Sequence, residues 1–478
     1  MAQQDLPLNQ EKGHGIHKWL VLFTVCINNI IGPMDISMID ISMPELTGTF
    51  GVELSTAIWI LLAYMLTISG LLLTLGKVGD LLGRKRIYLI GSILFTLGLG
   101  LCALSQNIGQ LILFRIIQGV GAAMTVAMGY AIVTNAFGER GRGKAIGILG
   151  TAVGIGLMSG PALGGFFLDS FGWRSIFYLR LPLSFLAVVM AWVVLRDDSS
   201  SGRTGGFDVW GSLTLFGGLA GLLFTINQGQ VRGWSTPFVL AFLTGSLVLL
   251  AIFIIIESRL KQPILELSMF RHADFALANA SLFLSFLGRR GITLILPFLL
   301  IQAQGYSATA AGLILMINPL TMTVVAPLSG WLSDKVGSRF LCSLGLSIAW
   351  FGIFLLRQLD INSTWLTIVL VLLVGGIGFS IFETPNNSFI MGIASRQKLG
   401  TASALIATMR TIGQSAGLAI AAAIFSNRQI YHATNLPAEQ ALFAGFRDAM
   451  GVALFICGAA FLASLVHSKQ HDGVNFPT

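Results

Sequence analysis

Seven ionisable side chains stand inside stretches that are otherwise apolar: Asp35, Asp40, Arg115, Arg289, Arg290, Glu383 and Arg410. Such groups are costly in hydrocarbon and persist where they pair with one another or border water. Burial favours the protonated carboxyl and a neighbouring guanidinium favours the ionised one, so an acid beside an arginine can be switched between holding and releasing a proton. Asp35, Asp40 and Glu383 are therefore the candidate proton carriers, with Arg115 as the charge that tunes a nearby acid. Arg289, Arg290, Glu383, Asn386 and Arg410 are candidates for holding the polar part of a cargo, because Pro385 beside Glu383 and Asn386 frees backbone groups next to a cavity. Plainer readings stand beside these: a solvated acid near the mouth for Asp40, and structural ion pairs for Arg115 and Glu383. Arg410 needs a counter-charge at mid-helix, and Glu383 on the preceding helix is the nearest in sequence. Arg180, near the outer end of its stretch, is expected to snorkel.

The elements that must position these groups are membrane helices. With 54% hydrophobic and only 10% charged residues, the 478-residue chain has too little polar surface to coat a soluble globule, so lipid is its solvent. A bilayer asks for about 20 apolar residues per helix. Six stretches meet this at 19–41, 54–75, 87–104, 108–133, 145–168 and 175–195, two more at 209–226 and 238–256, and six at 275–300, 310–331, 340–356, 365–391, 401–425 and 450–466. The expected fold is thus an all-α membrane protein with a tail (1–18), a six-helix bundle (19–195), a linker with two extra helices (196–260), a second six-helix bundle (261–466) and a tail (467–478). The first stretch is long for a signal-peptide core and lacks a small-residue cleavage site after it, so it reads as a spanning helix.

The net charge of +8 does not point to nucleic acid, because the basic residues lie between apolar runs rather than on one soluble face. They read instead as orientation: with both termini cytoplasmic, most of the 29 Lys and Arg fall inside, and only Arg174, Arg232, Arg357, Arg428 and Arg447 fall outside. Cys26, Cys102, Cys342 and Cys457 lie in apolar stretches without metal-ligand or disulfide spacing and read as buried filler. No phosphate loop, metal cluster or nucleophile constellation is present, so an enzyme, a metal and a cofactor are all disfavoured.

The segment from Gly76 to Arg86 puts Asp80 and the cluster Arg84, Lys85 and Arg86 at the end of a helix pair, where its glycines permit a tight reversal. It returns 254 residues later as Gly330 to Arg339, with Asp334 and Arg339, and Gly119 and Gly121 return as Gly376 and Gly378. The halves therefore read as copies separated by the inserted helix pair.

Gly76, Asp80, Gly83, Arg84 and Lys85 match the loop signature G-x-x-x-D-x-x-G-R-[RK], and here the sequence resembles the major facilitator superfamily. The resemblance implies two pseudo-twofold six-helix bundles rocking about a central cavity, with this loop and its copy at Asp334 and Arg339 as a conformational latch. Gly156, Gly160, Pro161, Gly164 and Gly165 resemble the antiporter motif G-x-x-x-G-P-x-x-G-G of the fourteen-helix drug:proton antiporter branch. Arg115, Gln118, Gly119 and Gly121 are similar to its R-x-x-Q-G-x-G string. Asp35 and Pro44 resemble its first-helix motif, with Asp40 at the position of an asparagine.

The resemblance implies a proton-coupled secondary transporter that exports small amphipathic or hydrophobic compounds. The implied partners are substrate, protons and membrane lipid, in a monomer of the prokaryotic plasma membrane. Two midplane arginines are not part of that pattern. The repeat maps Asp35 onto Arg289, so Arg289 is expected to face Asp35 across the pseudo-twofold axis, with only one of Arg289 and Arg290 turned to the cavity centre. This departure favours an alternative, a dedicated exporter or flippase of one anionic or lipid-like molecule. A third reading is a non-transporting membrane sensor.

Overall fold

Apolar runs of this length can enter lipid only with every backbone group paired internally, and helices are the consequence. In a computed structural model that describes residues 8–196, 209–259, 272–393 and 399–469, every regular element is helical. The first half comprises α1 (Leu8–Phe50), α2 (Leu54–Ala57), α3 (Trp59–Leu82), α4 (Arg84–Leu104), α5 (Ile108–Phe171), α6 (Ser175–Tyr178) and α7 (Arg180–Val194). The middle pair is α8 (Val209–Arg232) and α9 (Pro237–Arg259). The second half comprises α10 (Ala273–Phe298), α11 (Ala308–Leu315), α12 (Ile317–Val336), α13 (Ser338–Arg357), α14 (Trp365–Ile393), α15 (Leu399–Ala433) and α16 (Ala438–Lys469). Most of the expected tails and of the linker after Arg196 lie outside the described residues.

Many helices outrun the stretches that hydropathy marks, because hydropathy sees only the lipid-facing part while the backbone continues its bonding past it. The expected fourth and fifth helices are the two arms of α5, Ile108–Gly138 and Lys144–Phe171, which part at a kink at Gly138, whose φ of 62° admits glycine without strain. Among the described residues twelve helices are long and apolar enough to cross a bilayer. The two further members of the expected fourteen are helical but less uniformly apolar: in α8 the apolar stretch is Leu213–Ile226, and α15 carries Arg410 and Arg428.

The internal repeat reappears as geometry. Gly83 joins α3 to α4 with φ 98° and ψ 127°, and Gly337 joins α12 to α13 with φ 92° and ψ 141°. A side chain in that region is strained, so both reversals need glycine. In each half the following helices then cross at near-contact distance. A Cβ on Gly121 of α5 would overlap the Phe95 nitrogen of α4, and one on Gly378 of α14 would overlap the Ala349 nitrogen of α13. Of the residues expected to form a latch, Arg84 begins α4 beside Lys85, and the Arg339 guanidinium lies 5.9 Å from the Phe389 ring. The Asp80 and Asp334 side chains lie outside the described ones.

Between the halves, contact is closest at the end where α5 meets α11. A Cβ on Gly165 would overlap the Ala308 carbonyl, and one on Gly312 would overlap the Pro161 carbonyl. Earlier on α5, Gly147 and Gly150 have nothing within 4 Å of a Cβ position.

Candidate functional site

The charged side chains gather into three clusters. In the first, Asp35 of α1 receives Arg115 Nη1 at 2.5 Å and Gln118 Nε2 at 3.1 Å, both from α5, and Arg180 Nη1 from the start of α7. Arg115 also donates to the Ile60 carbonyl at 3.0 Å and stands 4.0 Å from the Tyr64 ring, while Arg180 donates to the Ile176 carbonyl at 2.8 Å. Asp35, Arg115 and Arg180 have no exposed surface. The expectation that Arg180 snorkels is thus overturned: Asp35 offers a full counter-charge inside the bundle, which a side chain reaching for the interface would forgo.

The second cluster joins the halves. Arg290 of α10 forks onto Asp40 of α1, with Nη1 to Oδ2 at 2.7 Å and Nη2 to Oδ1 at 2.9 Å, and Nη1 also meets Thr293 Oγ1 at 2.5 Å. Asp40 is buried rather than solvated, because the paired α10 closes over it.

In the third cluster, Glu383 of α14 meets one arginine on each oxygen. Arg289 Nη2 lies 3.2 Å from Oε2 and Arg410 Nη2 of α15 lies 3.1 Å from Oε1. Arg410 therefore reaches the partner that sequence order suggested. Arg289 does not face Asp35: although the repeat makes the two positions equivalent, Asp35 is already saturated within its own half by Arg115, Arg180 and Gln118. The two adjacent arginines diverge because successive helical positions point about 100° apart. Both nevertheless border the central cavity. Asn386 is turned away from it, donating to the Ala278 carbonyl at 3.2 Å and holding α14 to α10.

That cavity has a volume of about 280 Å³ and lies between the halves. Asp40, Arg289, Arg290 and Arg410 contribute its charge, and Leu157, Pro161, Phe286 and Met322 much of its apolar wall. Aromatic faces support the arginines: the Arg289 guanidinium lies 4.3 Å from the Phe286 ring and that of Arg410 lies 5.3 Å from the same ring. An apolar chamber with a few fixed charges can seat a small amphipathic molecule and orient its polar end. No group of metal-ligating side chains occurs among the described residues.

The glycine-rich string of α5 packs against both α1 and α11, and its Pro161 lines the cavity. Gly156 and Gly160 face Ile30 and Ser37 of α1 at distances that leave no room for a side chain, Gly164 lies tightly against Ile41 and Met38, and Gly165 faces α11. Beyond them Asp169 accepts from the Ala308 nitrogen at 2.9 Å, the Thr309 nitrogen at 2.7 Å and Thr309 Oγ1 at 2.6 Å, so one half caps a helix of the other. Sequence reasoning missed Asp169 and Tyr64, and did not place Arg180 or Gln118 at Asp35. A carboxylate just past a glycine string and an arginine opening an apolar helix were the available signals.

Comparison with known proteins bears on both halves at once. The Major Facilitator Superfamily model matches residues 25–418 and again 278–471. The Riboflavin transporter RibZ of Clostridioides difficile (strain 630) is 30% identical over 456 residues, covering 95% of this chain and 98% of that protein. Multidrug resistance protein Stp of Mycobacterium tuberculosis (strain CDC 1551 / Oshkosh) is 30% identical over 394 residues, covering 82% of this chain and 73% of that protein. Multidrug transporter protein MdtP of Bacillus subtilis (strain 168) is 27% identical over 443 residues, covering 91% and 82%. Among solved structures, a bacterial homolog to the human lysosomal transporter Spinster, inward-facing and unoccupied, shares the fold with a TM-score of 0.69 at 17% identity over 95% of this chain and 98% of that one. A mutant of the nucleoside transporter NupG shares it at 0.64 and 13% identity, over 95% and 100%. With its fold shared end to end and its sequence matched across both halves, this chain is a transporter that belongs to the Major Facilitator Superfamily.

Proposed function

We propose that the protein is a proton-coupled secondary transporter that exports small amphipathic or hydrophobic compounds by alternating access, as expected of the fourteen-helix drug:proton antiporter branch. The observation that carries this reading is the largely apolar cavity between the halves, with buried acid–arginine pairs on or beside its wall. Relatives named for multidrug resistance and for riboflavin transport support cargo with an extended apolar or aromatic body. In this reading α8 and α15 also cross the bilayer, giving fourteen spans in a monomer of the prokaryotic plasma membrane with both termini cytoplasmic.

The closed end at Asp169 and the open face of α5 near Gly147 suit one of two alternating states, and the loops at Gly83 and Gly337 act as the latch between them. The three acids then divide the work. Asp40 borders the cavity and Glu383 touches two arginines that do, so a proton arriving through water can reach them. Asp35 is held by two guanidinium groups in a sealed setting, where a proton would have to displace both; it responds only when that cluster opens. The test is flux in proteoliposomes under an imposed pH gradient, comparing the wild type with Asp35→Asn, Asp40→Asn and Glu383→Gln. Coupled export predicts substrate-driven proton movement that at least one variant abolishes while binding persists. Transport indifferent to the gradient in every variant would sink proton coupling.

The second reading, a dedicated exporter or flippase of one anionic or lipid-like substrate, is favoured by a specific observation: around the cavity Arg289, Arg290 and Arg410 outnumber Asp40 and Glu383.

A further inference from the structure

Charges are seldom left uncompensated in a membrane interior, so a surplus of one sign there calls for a partner. The three clusters hold the acids Asp35, Asp40 and Glu383 against five arginines. Asp40 and Arg290 balance one to one. The Asp35 cluster is cationic, but its second guanidinium is met by backbone carbonyls, Gln118 and aromatic faces, and no ligand can reach it. Only the Glu383 cluster combines surplus positive charge with access. The Arg289 and Arg410 side chains are 22% and 38% exposed and border the cavity, while that of Glu383 is 7% exposed.

The pairing there is also divided. A guanidinium carries five donors in a planar fork suited to both oxygens of one acid. Here a single carboxylate is split, one oxygen to each arginine at 3.2 and 3.1 Å. The contrast lies one residue away, where Arg290 makes the full fork onto Asp40.

We infer that Arg289 and Arg410 form a seat for the acidic group of an amphipathic anion, and that Glu383 is a resident competitor which the ligand displaces from them. The inference rests on the transport reading and narrows its substrate class to molecules pairing an apolar body with a carboxylate, sulfonate or phosphate. Phe286 and the apolar wall take the body, and the forks take the acid. A cation of the same shape meets repulsion from the surplus charge.

This gives Glu383 an unusual sign. If it were the ligand's own partner, neutralising it would weaken binding; as a competitor, neutralising it strengthens binding. The test uses the full-length protein in nanodiscs and proteoliposomes with two xanthene dyes of similar size, anionic fluorescein and cationic rhodamine 123. Fluorescein should bind and move in preference to rhodamine 123. Glu383→Gln should tighten fluorescein binding by about tenfold, and Arg410→Gln or Arg289→Gln should weaken it by about tenfold, the range expected for gaining or losing a charge-assisted bond. Arg410→Lys, which keeps the charge and loses the fork, should fall between. Tighter fluorescein binding in Glu383→Gln, with thermal unfolding unchanged in the arginine variants, supports the seat. Weaker binding in Glu383→Gln overturns it. Rhodamine 123 transport without fluorescein transport overturns the anion assignment and leaves export standing, whereas failure to move either dye overturns both.

Discussion

Asp35 and Glu383 each stand between two arginines, yet the one cluster is sealed and the other opens onto a cavity. The Asp35 set is locked by α1, α5 and α7 of a single half, with both arginines bonded to backbone carbonyls as well as to the acid. The Glu383 set draws on α10, α14 and α15 and keeps its arginines partly wet. The same three charges thus serve rigidity in one place and exchange in the other. What separates them is access to water and to a competing ligand, which sets whether a charge can change partners at low cost.

The largest effect tests the sealed side. Asp35→Asn strands two guanidinium groups with no exposed surface and should lower stability by about 3–5 kcal/mol, read as thermal or denaturant unfolding in detergent. Glu383→Gln should cost about 1 kcal/mol or less, because its arginines can turn to water. Equal losses would break the distinction.

A double variant sharpens it. Adding Arg180→Met to Asp35→Asn removes one of the stranded charges and should recover about 1–2 kcal/mol, a coupling expected only of groups in direct contact. Additive losses would mean that Arg180 is stabilised by something other than Asp35.

The junction between the halves gives smaller effects. Gly165→Val drives a side chain into the Ala308 carbonyl and should cost about 1–3 kcal/mol as overpacking. It should also loosen the closed end, so that a cysteine placed at Thr309 reacts faster with a maleimide. The smallest effect belongs to Asp169→Ala, which removes a cap that Ser307 partly duplicates on α11; a loss of about 1 kcal/mol should shift the equilibrium away from this closed end by about fivefold. Unchanged labelling at Thr309 in both variants would show that this end is held by other contacts.

Much of the architecture was legible before any coordinates. The apolar stretches mark the helices, because lipid imposes a length and forbids unpaired backbone. The copies of Gly83 and Gly121 at Gly337 and Gly378 announce two related halves, because only glycine tolerates the reversal and the close crossing. The boundaries were less legible: the two helices expected within α5 are there, on either side of the kink at Gly138, but both outrun their apolar stretches.

The residue types, then, were determined by the sequence alone: three acids and several arginines that hydrocarbon would not tolerate unpaired, on helices that had to be there. Which acid met which arginine was decided only by tertiary structure. Arg289 and Arg290 are neighbours in the chain, yet a turn of about 100° sends one to Glu383 and the other to Asp40. Asp35 and Arg289 occupy equivalent positions of the repeat, yet Arg115 and Arg180 of its own half hold Asp35. Periodicity fixes the direction of a side chain relative to its own helix axis, and pairing depends on how separate helices are rotated and packed against one another, which no local pattern contains.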